Sequence, residues 1–450
     1  GRFATAIGDL IATRESEPEL TPVASPPPRP GVAPAGRYRR RARRLAGDQR
    51  SLFGEILDWM FAPLLLLWPM SVAITFLAAR ALADAPFDQS LRDRAMVLGQ
   101  QVLLVEDRGQ AGLPRVAGEL MRAADGDTVL VTNGVYTTLV ANATYLNITN
   151  AVTVRSMEGS EHTVISNSFG SSYSATLVDI SSSGATLDGF TITRARRLSV
   201  RITAASVMTN CIVRDRSRWN GTGNVWLSGG ALVTDCHLIN NLVYGTYKGG
   251  ALYIAGASTV ENCVITNNNA SGAAPLIYLL SPSTSKDIVI RNCLIADNYS
   301  SGCVIFSHGG GTYENCTIAG NMAGGMEIFD IGVTAKNCIF AGNTNAAGTA
   351  RNVVFTGGGK LTAVSSCIVV PPADRVLATD CIYEPPRYRD AARGNYALMS
   401  SSPCIDTGML LSWMTDGATH LVGAPRVFGN APDMGCYECL MEPCTLFMVR

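Results

Sequence analysis

Short apolar segments separated by asparagine-rich turns recur through the middle of this chain. The clearest copies of one phrase occupy residues 262–268 (NCVITNN), 292–298 (NCLIADN), 315–321 (NCTIAGN) and 337–343 (NCIFAGN). Looser copies carry cysteine at the same position of the phrase, at Cys211, Cys236, Cys367 and Cys381, and an earlier copy carries Phe190 there. The steps from Phe190 to Cys367 are 21, 25, 27, 30, 23, 22 and 29 residues. A repeat of this length predicts a solenoid of short stacked strands.

The phrase also predicts which side chains point inward. On short strands with alternating apolar residues, the inward side chains stack from one coil to the next. The cysteines are then expected to form an internal ladder of buried, unreactive thiols. A metal ladder is the alternative, but thiolates ~5 Å apart on neighbouring strands do not fit one tetrahedral centre. The asparagines are expected in tight turns, where they tolerate left-handed backbone conformations.

The N-terminal part predicts a membrane anchor. Residues 1–50 form an Arg-rich tail that is expected to be disordered, with seven arginines between Arg37 and Arg50. Residues 59–79 contain no charge, and 21 residues in a helix span the ~30 Å core of a bilayer. A retained anchor is favoured over a signal peptide, whose apolar region is shorter. Because arginines before a membrane helix favour the cytoplasmic side, the tail is expected in the cytoplasm. Residues 51–110 are expected to form the membrane helix and a helical linker after it.

The composition disfavours two kinds of partner, nucleic acid and zinc. The formal net charge is zero, which does not favour nucleic acid as a partner. The chain has four histidines and a single Cys436-x-x-Cys439 pair without a second pair at matching spacing, which disfavours a zinc site.

The segment around the membrane run resembles a known family. Residues 51–59 (SLFGEILDW), the apolar run and residues 83–88 (ADAPFD) are similar to the N-terminal segment of bacterial two-component sensor kinases. The resemblance covers about residues 45–105. The histidine-box helix and the Gly-rich ATP lid of that family do not follow, so the resemblance implies an anchor and not kinase activity. We interpret the join between this anchor segment and the rest of the chain as either a natural fusion or a chimera.

A second resemblance begins after residue 111. Residues 113–124 have helical apolar spacing and precede 125–136 (DGDTVLVTNGVY), which resembles the N-terminal cap of right-handed parallel β-helix proteins of the pectate-lyase-like type. The expected fold is therefore all-β, a right-handed parallel β-helix over residues 111–397 with a cap helix. Residues 398–450, through 402–408 (SPCIDTG) and 433–438 (DMGCYE), resemble a C-terminal module of the choice-of-anchor type. That module implies a surface or secreted bacterial protein.

The C-terminal module also contains a group of charged residues. Their carboxylates are of the type that calcium prefers, but an arginine among them favours an ion-pair network that holds the module together. The residues concerned are Asp406, Asp416, Arg426, Asp433 and Glu438.

Aromatic and basic residues cluster between two repeats. Aromatic faces beside basic groups on a solenoid flank suit sugar binding, and packing between loops is the alternative. No site residue is predicted from this cluster. Its members are Trp219, Trp226, Tyr244, Tyr247 and Tyr253 with Arg214, Arg216, Arg218 and Lys248.

Enzyme signatures are weak in the repeat region. The paired aspartates of polygalacturonases and the Arg-x-Pro-x-x-Arg pattern of pectate lyases are absent, and His308-Gly309 is the nearest approach to a Gly-His-Gly motif. No catalytic, cofactor-binding or metal residue is therefore predicted.

Together these features predict a cell-envelope protein that binds an extracellular polysaccharide or surface glycan without catalysis. It requires no cofactor, contacts the membrane through residues 59–79 and does not bind nucleic acid. A polysaccharide lyase or glycoside hydrolase is the alternative. A membrane-anchored sensor without its kinase domain is the second alternative.

Overall fold

The computed structural model describes residues 102–105, 120, 122–137, 144–167, 176–195, 197–218, 223–244, 249–272, 275–280, 287–371 and 374–440. The predicted tail at 1–50 and the predicted membrane helix at 59–79 lie outside these ranges. Of the helical linker predicted within 51–110, the described part is Val102–Val105, where the prediction is wrong: this segment is a strand, because it pairs in parallel with Thr128–Val131. Across the described ranges, no helix is long and apolar enough to cross a membrane. Of the predicted cap helix at 113–124, Leu120 and Arg122 are helical.

The described strands wind into a parallel β-helix with four sheets, numbered here in the order in which one coil visits them. Sheet 1 contains Val102–Val105, Thr128–Val131, Thr153–Ser156, Thr186–Asp188, Val207–Thr209, Ala231–Thr234, Ser258–Glu261, Ile288–Arg291, Gly311–Glu314, Val333–Lys336, Leu361–Val364 and Val376–Thr379. Sheet 2 contains Gly134–Thr137, Thr163–Ser166, Thr191–Thr193, Ile212–Arg214, His237–Ile239, Val264–Thr266, Leu294–Ala296, Thr317–Ala319, Ile339–Ala341 and Cys367–Ile368.

The other two parallel sheets are smaller. Sheet 3 contains Ser217–Arg218, Leu242–Tyr244, Asn269–Ser271 and Tyr299–Ser300. Sheet 4 contains Leu146–Ile148, Thr176–Ile180, Leu198–Ile202, Val225–Leu227, Leu252–Ile254, Ile277–Leu279, Ile305–Ser307, Met326–Ile328 and Val353–Phe355. After the coils, Tyr388–Asp390 and Asn395–Leu398 form an antiparallel pair around the 3-10 helix Ala391–Arg393.

The turn between sheets 1 and 2 is set by the residue before each ladder cysteine. Asn262, Asn292 and Asn337 have φ of 52°, 53° and 53°, and Gly189 has φ of 82° at this position before Phe190. Asparagine and glycine enter this left-handed region at the lowest steric cost. The predicted left-handed turns are therefore confirmed.

The predicted internal ladder is also confirmed. Its members, all buried in the core, are Phe190, Cys211, Cys236, Cys263, Cys293, Cys316 and Cys338. Each thiol of this ladder lies near the carbonyl oxygen two residues earlier; for Cys263 Sγ and Glu261 O the distance is 3.0 Å. Burial raises the pKa of the Cys236, Cys293 and Cys338 thiols well above the usual value, which is the behaviour of structural cysteines.

One position of the predicted ladder is wrong. Cys367 pairs in register with Ile339, so it points outward, and Ser366 takes the inward position. The Cys338 amide donates to Ser366 Oγ at 3.0 Å. The reason is that the left-handed residue, Ser365 with φ of 44°, stands two positions before Cys367 and not one. Cys381 returns to the ladder position, with Sγ 3.4 Å from the carbonyl oxygen two residues earlier.

A second internal ladder consists of asparagines. At the turn from sheet 2 to sheet 3, the last asparagine of the repeated phrase points inward and bonds to its equivalent in the next coil. Its members are Asn241, Asn268, Asn298, Asn321 and Asn343, all buried. Asn352, which lies nine residues after Asn343 and directly before the sheet 4 strand Val353–Phe355, accepts the last hydrogen bond of the ladder. Because buried polar groups must be paired, this ladder fixes the register of successive coils.

The C-terminal module covers the outer face of sheet 2. Ala296 and Ala319 leave room there for Tyr396 and Cys436, and further coils contact Leu398 and neighbouring apolar residues. Hydrogen bonds hold the module in place: the Asn337 side chain bonds both to the amide and to the carbonyl of Met409, at 2.8 Å each. The module therefore packs along one flank of the coil.

Candidate functional site

The structure brings together part of the predicted aromatic cluster. Trp226 and Tyr253 are paired in register on sheet 4, with ring centroids 6.4 Å apart. Tyr244 lies in sheet 3, Arg214 is exposed on sheet 2 and Arg216 is buried at the start of the asparagine ladder. The remaining members lie outside the described residues or are described only by their backbone; they are Trp219, Tyr247, Lys248 and Arg218.

Sheet 4 carries a longer row of outward-facing aromatic residues than the sequence cluster predicts. The central residues of successive strands, in register, are Arg201, Trp226, Tyr253, Tyr278, Phe306 and Glu327. The Tyr253 and Tyr278 ring centroids are 5.3 Å apart, and those of Tyr278 and Phe306 are 5.4 Å apart with an interplanar angle of 4°. We call Trp226, Tyr253, Tyr278 and Phe306 the aromatic stripe.

The rings of the stripe overlap with an offset. Parallel rings with centroids more than 5 Å apart are displaced sideways, which is a preferred arrangement for aromatic pairs. Trp226, Tyr253 and Phe306 are half-buried, whereas Tyr278 is buried. Part of each half-buried ring therefore remains accessible along this face.

Polar groups stand at both ends of the stripe. Before Trp226, the Arg201 guanidinium bonds to the Asp179 carboxylate through two nitrogens. Beyond Phe306, the His308 ring stacks on Phe306 and Phe329, and its Nε2 lies 3.4 Å from Asp330 Oδ2. The stripe is thus apolar in the middle, with a cation at one end and hydrogen-bonding groups at the other.

A sequence signal for the whole stripe exists. An aromatic residue between aliphatic or small residues recurs in VWL (225–227), LYI (252–254), IYL (277–279) and IFS (305–307), with steps of 27, 25 and 28 residues between the aromatic positions. This period runs in parallel with the cysteine period. Tyr278 and Phe306 are therefore readable from the sequence once the strand positions are aligned.

A cavity of about 420 Å³ lies between the coil and the C-terminal module. Glu261 and Arg291, at the ends of neighbouring sheet 1 strands, form one wall, and the segment Trp413 to Thr419 forms the other. Arg291 Nη2 lies 2.6 Å from Glu261 Oε2, and the guanidinium carbon lies 5.5 Å from the centre of the Trp413 ring. We call this the junction cavity.

The structure brings together four of the five charged residues predicted in the C-terminal module. Arg426 and Glu438 are fully buried, with Nη2 3.4 Å from Oε2, and Arg426 also donates to the Asp433 carbonyl. Asp433 accepts from the amides of Asp406 and Cys439 at 2.8 and 2.7 Å. Asp416 is separate from them and lines the junction cavity.

These contacts have the form of the ion-pair network. The Asp433 and Glu438 carboxylates face N–H donors, which occupy the oxygen positions that a calcium ion needs. Burial raises the pKa of Glu438 to about 8 and that of Asp433 to about 6, while Arg426 acts in the opposite direction. Among the residues that the structure describes, no group of three or more His, Cys, Asp or Glu is placed to hold a metal ion.

Comparisons with protein families agree with the sensor-kinase resemblance and with the β-helix resemblance. The family described as two-component sensor kinase N-terminal matches residues 64–132, which extends past the predicted segment to include the coil strand Thr128–Val131. A search of curated proteins found no match.

Solved structures with similar folds have low sequence identity to this chain. Pectate lyase Pel9A is 12% identical, with a TM-score of 0.49, over 75% of this chain and 96% of that one. The A-module of the mannuronan C-5 epimerase AlgE6 of Azotobacter vinelandii is 13% identical, with a TM-score of 0.34, over 65% and 99%. The PL6 family polysaccharide lyase Pedsa3628 of Pseudopedobacter saltans is 11% identical, with a TM-score of 0.32, over 63% and 95%.

The coil itself matches a family. The protein family described as right handed beta helix region matches residues 150–275 and 239–374. The two matches together cover residues 150–374, which is half of the 450 residues. With its parallel coils and internal ladders, this chain belongs to the right-handed β-helix family.

Proposed function

We propose that this protein binds a glycan chain along the aromatic stripe of sheet 4. The observation that carries the proposal is the register of four aromatic residues on consecutive coils, three of them half-buried. The accessible parts of the three half-buried rings offer an apolar surface to the C–H groups of a sugar chain, and the polar groups at the ends offer hydrogen bonds to hydroxyls.

The spacing of the stripe suits an extended ligand. Neighbouring strands of a sheet are ~4.8 Å apart, so each coil presents one ring at nearly constant intervals along the axis. A chain that lies along the axis meets an accessible ring at Trp226, Tyr253 and Phe306, and the buried Tyr278 supports its neighbours by stacking. The Arg201–Asp179 ion pair stands at one end and the Glu327 carboxylate at the other, so the two directions of a bound chain are not equivalent.

For the location of the protein, we propose the bacterial cell envelope with the coil outside the cytoplasm. The match to the sensor-kinase N-terminal family supports a membrane association. Residues 59–79 are the proposed anchor, 1–50 the cytoplasmic tail, 111–397 the exported coil and 398–450 its C-terminal module. A sensor without its kinase domain remains the second alternative, supported by the same match.

A polysaccharide lyase or glycoside hydrolase is the alternative activity. One observation favours a hydrolase: Glu261 and Asp416 line the same cavity, and glycoside hydrolysis generally uses a pair of carboxylates.

The test is binding of the full chain, purified in detergent, to a panel of neutral and uronate polysaccharides. Trp226→Thr and Phe306→Thr keep a residue that suits a strand and remove the ring. Each is expected to weaken binding about tenfold, since loss of a buried aromatic contact costs about 1.5 kcal/mol. His237→Thr, at an exposed position of sheet 2, is the control.

Two results contradict the proposal. One is the absence of binding to every polysaccharide, and the other is equal binding by the stripe variants and the control. Release of reducing or unsaturated ends from any member of the panel supports the enzyme alternative.

A further inference from the structure

We propose that the junction cavity binds a single pyranose unit, neutral or amino-substituted. The site is formed by Glu261, Arg291, Trp413, Thr415, Asp416 and Thr419. None of these residues belongs to the aromatic stripe, which lies on sheet 4. The inference therefore stands or falls independently of the proposed function.

The size and the construction of the cavity suit a small ligand. Its volume of about 420 Å³ is in the usual range for small-molecule sites, roughly 300–1,000 Å³. One wall is the end of two hydrogen-bonded strands, and the Arg291 guanidinium is fixed between the Glu261 carboxylate and the Trp413 ring. The wall residues are thus positioned before a ligand arrives, which reduces the entropy cost of binding.

The cavity has unused hydrogen-bond acceptors. Within the part of the chain that the structure describes, the Asp416 carboxylate makes no hydrogen bond or ion pair, and Glu261 uses only Oε2. A ligand that supplies donors to these oxygens is therefore favoured.

The pattern of donors and acceptors matches vicinal hydroxyl groups. Carboxylate oxygens accept hydrogen bonds from sugar hydroxyls, and threonine hydroxyls both donate and accept. Thr415 and Thr419 add two such hydroxyl groups to the wall. A pyranose presents several hydroxyls in a rigid ring, so one unit can satisfy these groups simultaneously.

The charge of the lining selects among sugars. Two carboxylates, Glu261 and Asp416, face one guanidinium, Arg291, which is already paired. This balance disfavours a uronate or a phosphorylated sugar, because a further negative charge meets Asp416 without a free cation beside it. A hydroxyl or an ammonium group is accepted, so a hexose and a hexosamine are the two members of the ligand class.

Saturation-transfer NMR and calorimetry on the full chain test this site. The probes are glucose, galactose, mannose, glucosamine and glucuronic acid. We expect at least one neutral or amino sugar to bind, and glucuronic acid to bind at least tenfold more weakly. If glucosamine binds more tightly than glucose, the ammonium group pairs with Asp416. If the two sugars bind equally, the site recognises hydroxyl groups alone.

Two variants and a matched control locate the binding. Asp416→Asn removes the exposed charge, and Thr419→Val removes a hydroxyl group of the wall; each is expected to weaken sugar binding by tenfold or more. Asp374→Asn changes a carboxylate that is 77% exposed and outside the cavity, so it is expected to have no effect. Phe306→Thr, on the stripe, is likewise expected to leave monosaccharide binding unchanged.

The inference is overturned if none of the probes binds, if glucuronic acid binds best, or if Asp416→Asn and Asp374→Asn bind equally well. Loss of monosaccharide binding in Phe306→Thr alone also overturns it, because the ligand is then held by the stripe.

Discussion

The backbone amide and the side-chain nitrogen of Asn268 both donate to the side-chain oxygen of Asn298 in the next coil, at 3.0 Å each. Asn298 repeats the arrangement towards Asn321, at 3.1 and 3.0 Å. The Asn298 side chain also donates to the Ile265 carbonyl, so it is hydrogen-bonded to both the preceding and the following coil. This continuity makes the asparagine ladder more sensitive to substitution than the turns on the outside.

Replacing a central asparagine tests this ladder. Asn298→Ala leaves two donors of Asn268 without an acceptor inside the coil, so the free energy of unfolding is expected to fall by roughly 2–5 kcal/mol. Asn430→Ala, an exposed asparagine of the C-terminal module, is expected to stay within about 0.5 kcal/mol. Urea titrations measure both; similar stabilities for the two variants would contradict the interpretation.

The cysteine ladder predicts a pattern of thiol reactivity. Because burial raises the pKa of the Cys236, Cys293 and Cys338 thiols, little thiolate is available and access is blocked. In the folded protein we expect no alkylation of these cysteines by iodoacetamide at neutral pH, as measured by mass spectrometry of peptides. Complete alkylation in denaturant is the control. Rapid modification in the native state would show that the ladder opens.

Small residues on sheet 2 permit the C-terminal module to dock. Ala319 contacts the cluster that contains Tyr396 and Cys436. We expect Ala319→Leu to displace the module at a cost of about 1–3 kcal/mol, because an added side chain overfills this contact. Limited proteolysis should then cut the module while the coil stays resistant. Arg214→Leu, an exposed outward position on an earlier strand of the same sheet, is the control, and equal resistance of both variants would refute the model of docking.

The lowered pKa of His420 is expected to make the stability of the protein depend on pH. Burial, followed by the charge of Arg426, lowers the pKa of His420 to about 4 from 6.5. A histidine with a lowered pKa in the folded state contributes stability above about pH 6.5 and loses that contribution as the pH falls through about 4. Both ring nitrogens lack partners within the described residues. His420→Leu is therefore expected to match or exceed the wild type in melting temperature, with an advantage that grows from pH 6.5 to pH 4.

The comparison with the wild type is needed because nearby carboxylates act in the opposite direction. The pKa of Glu438 is raised to about 8, so its contribution is full below about pH 4.5 and is lost as the pH rises through 8. The difference between the two proteins isolates the histidine. His237→Leu, at an exposed site, is expected to give a difference that is independent of pH; a flat difference for His420→Leu would reject the prediction.

The sequence could predict the coil because its signals are local. Left-handed turns depend on the residue that occupies one position, as Asn262 and Gly189 show. The inward direction of Cys263 follows from alternation along one strand. At Cys367 the prediction followed the cysteine and not the alternation from the left-handed turn, so the predicted register is wrong by one residue.

The features that bear on function depended on contacts between distant parts of the chain. The Asn292 side chain bonds to the carbonyl of Thr419, 127 residues later, and the junction cavity exists only because such contacts place Asp416 opposite Glu261. The chain by itself determined a β-helix with an inward row of cysteines and left-handed asparagine turns, since each coil repeats the same local geometry. Only the tertiary structure decided which flank the C-terminal module covers, how the inward asparagines join successive coils, and how the strands align to bring the aromatic residues into one row. These features depend on how many residues each coil uses before it returns to the same sheet.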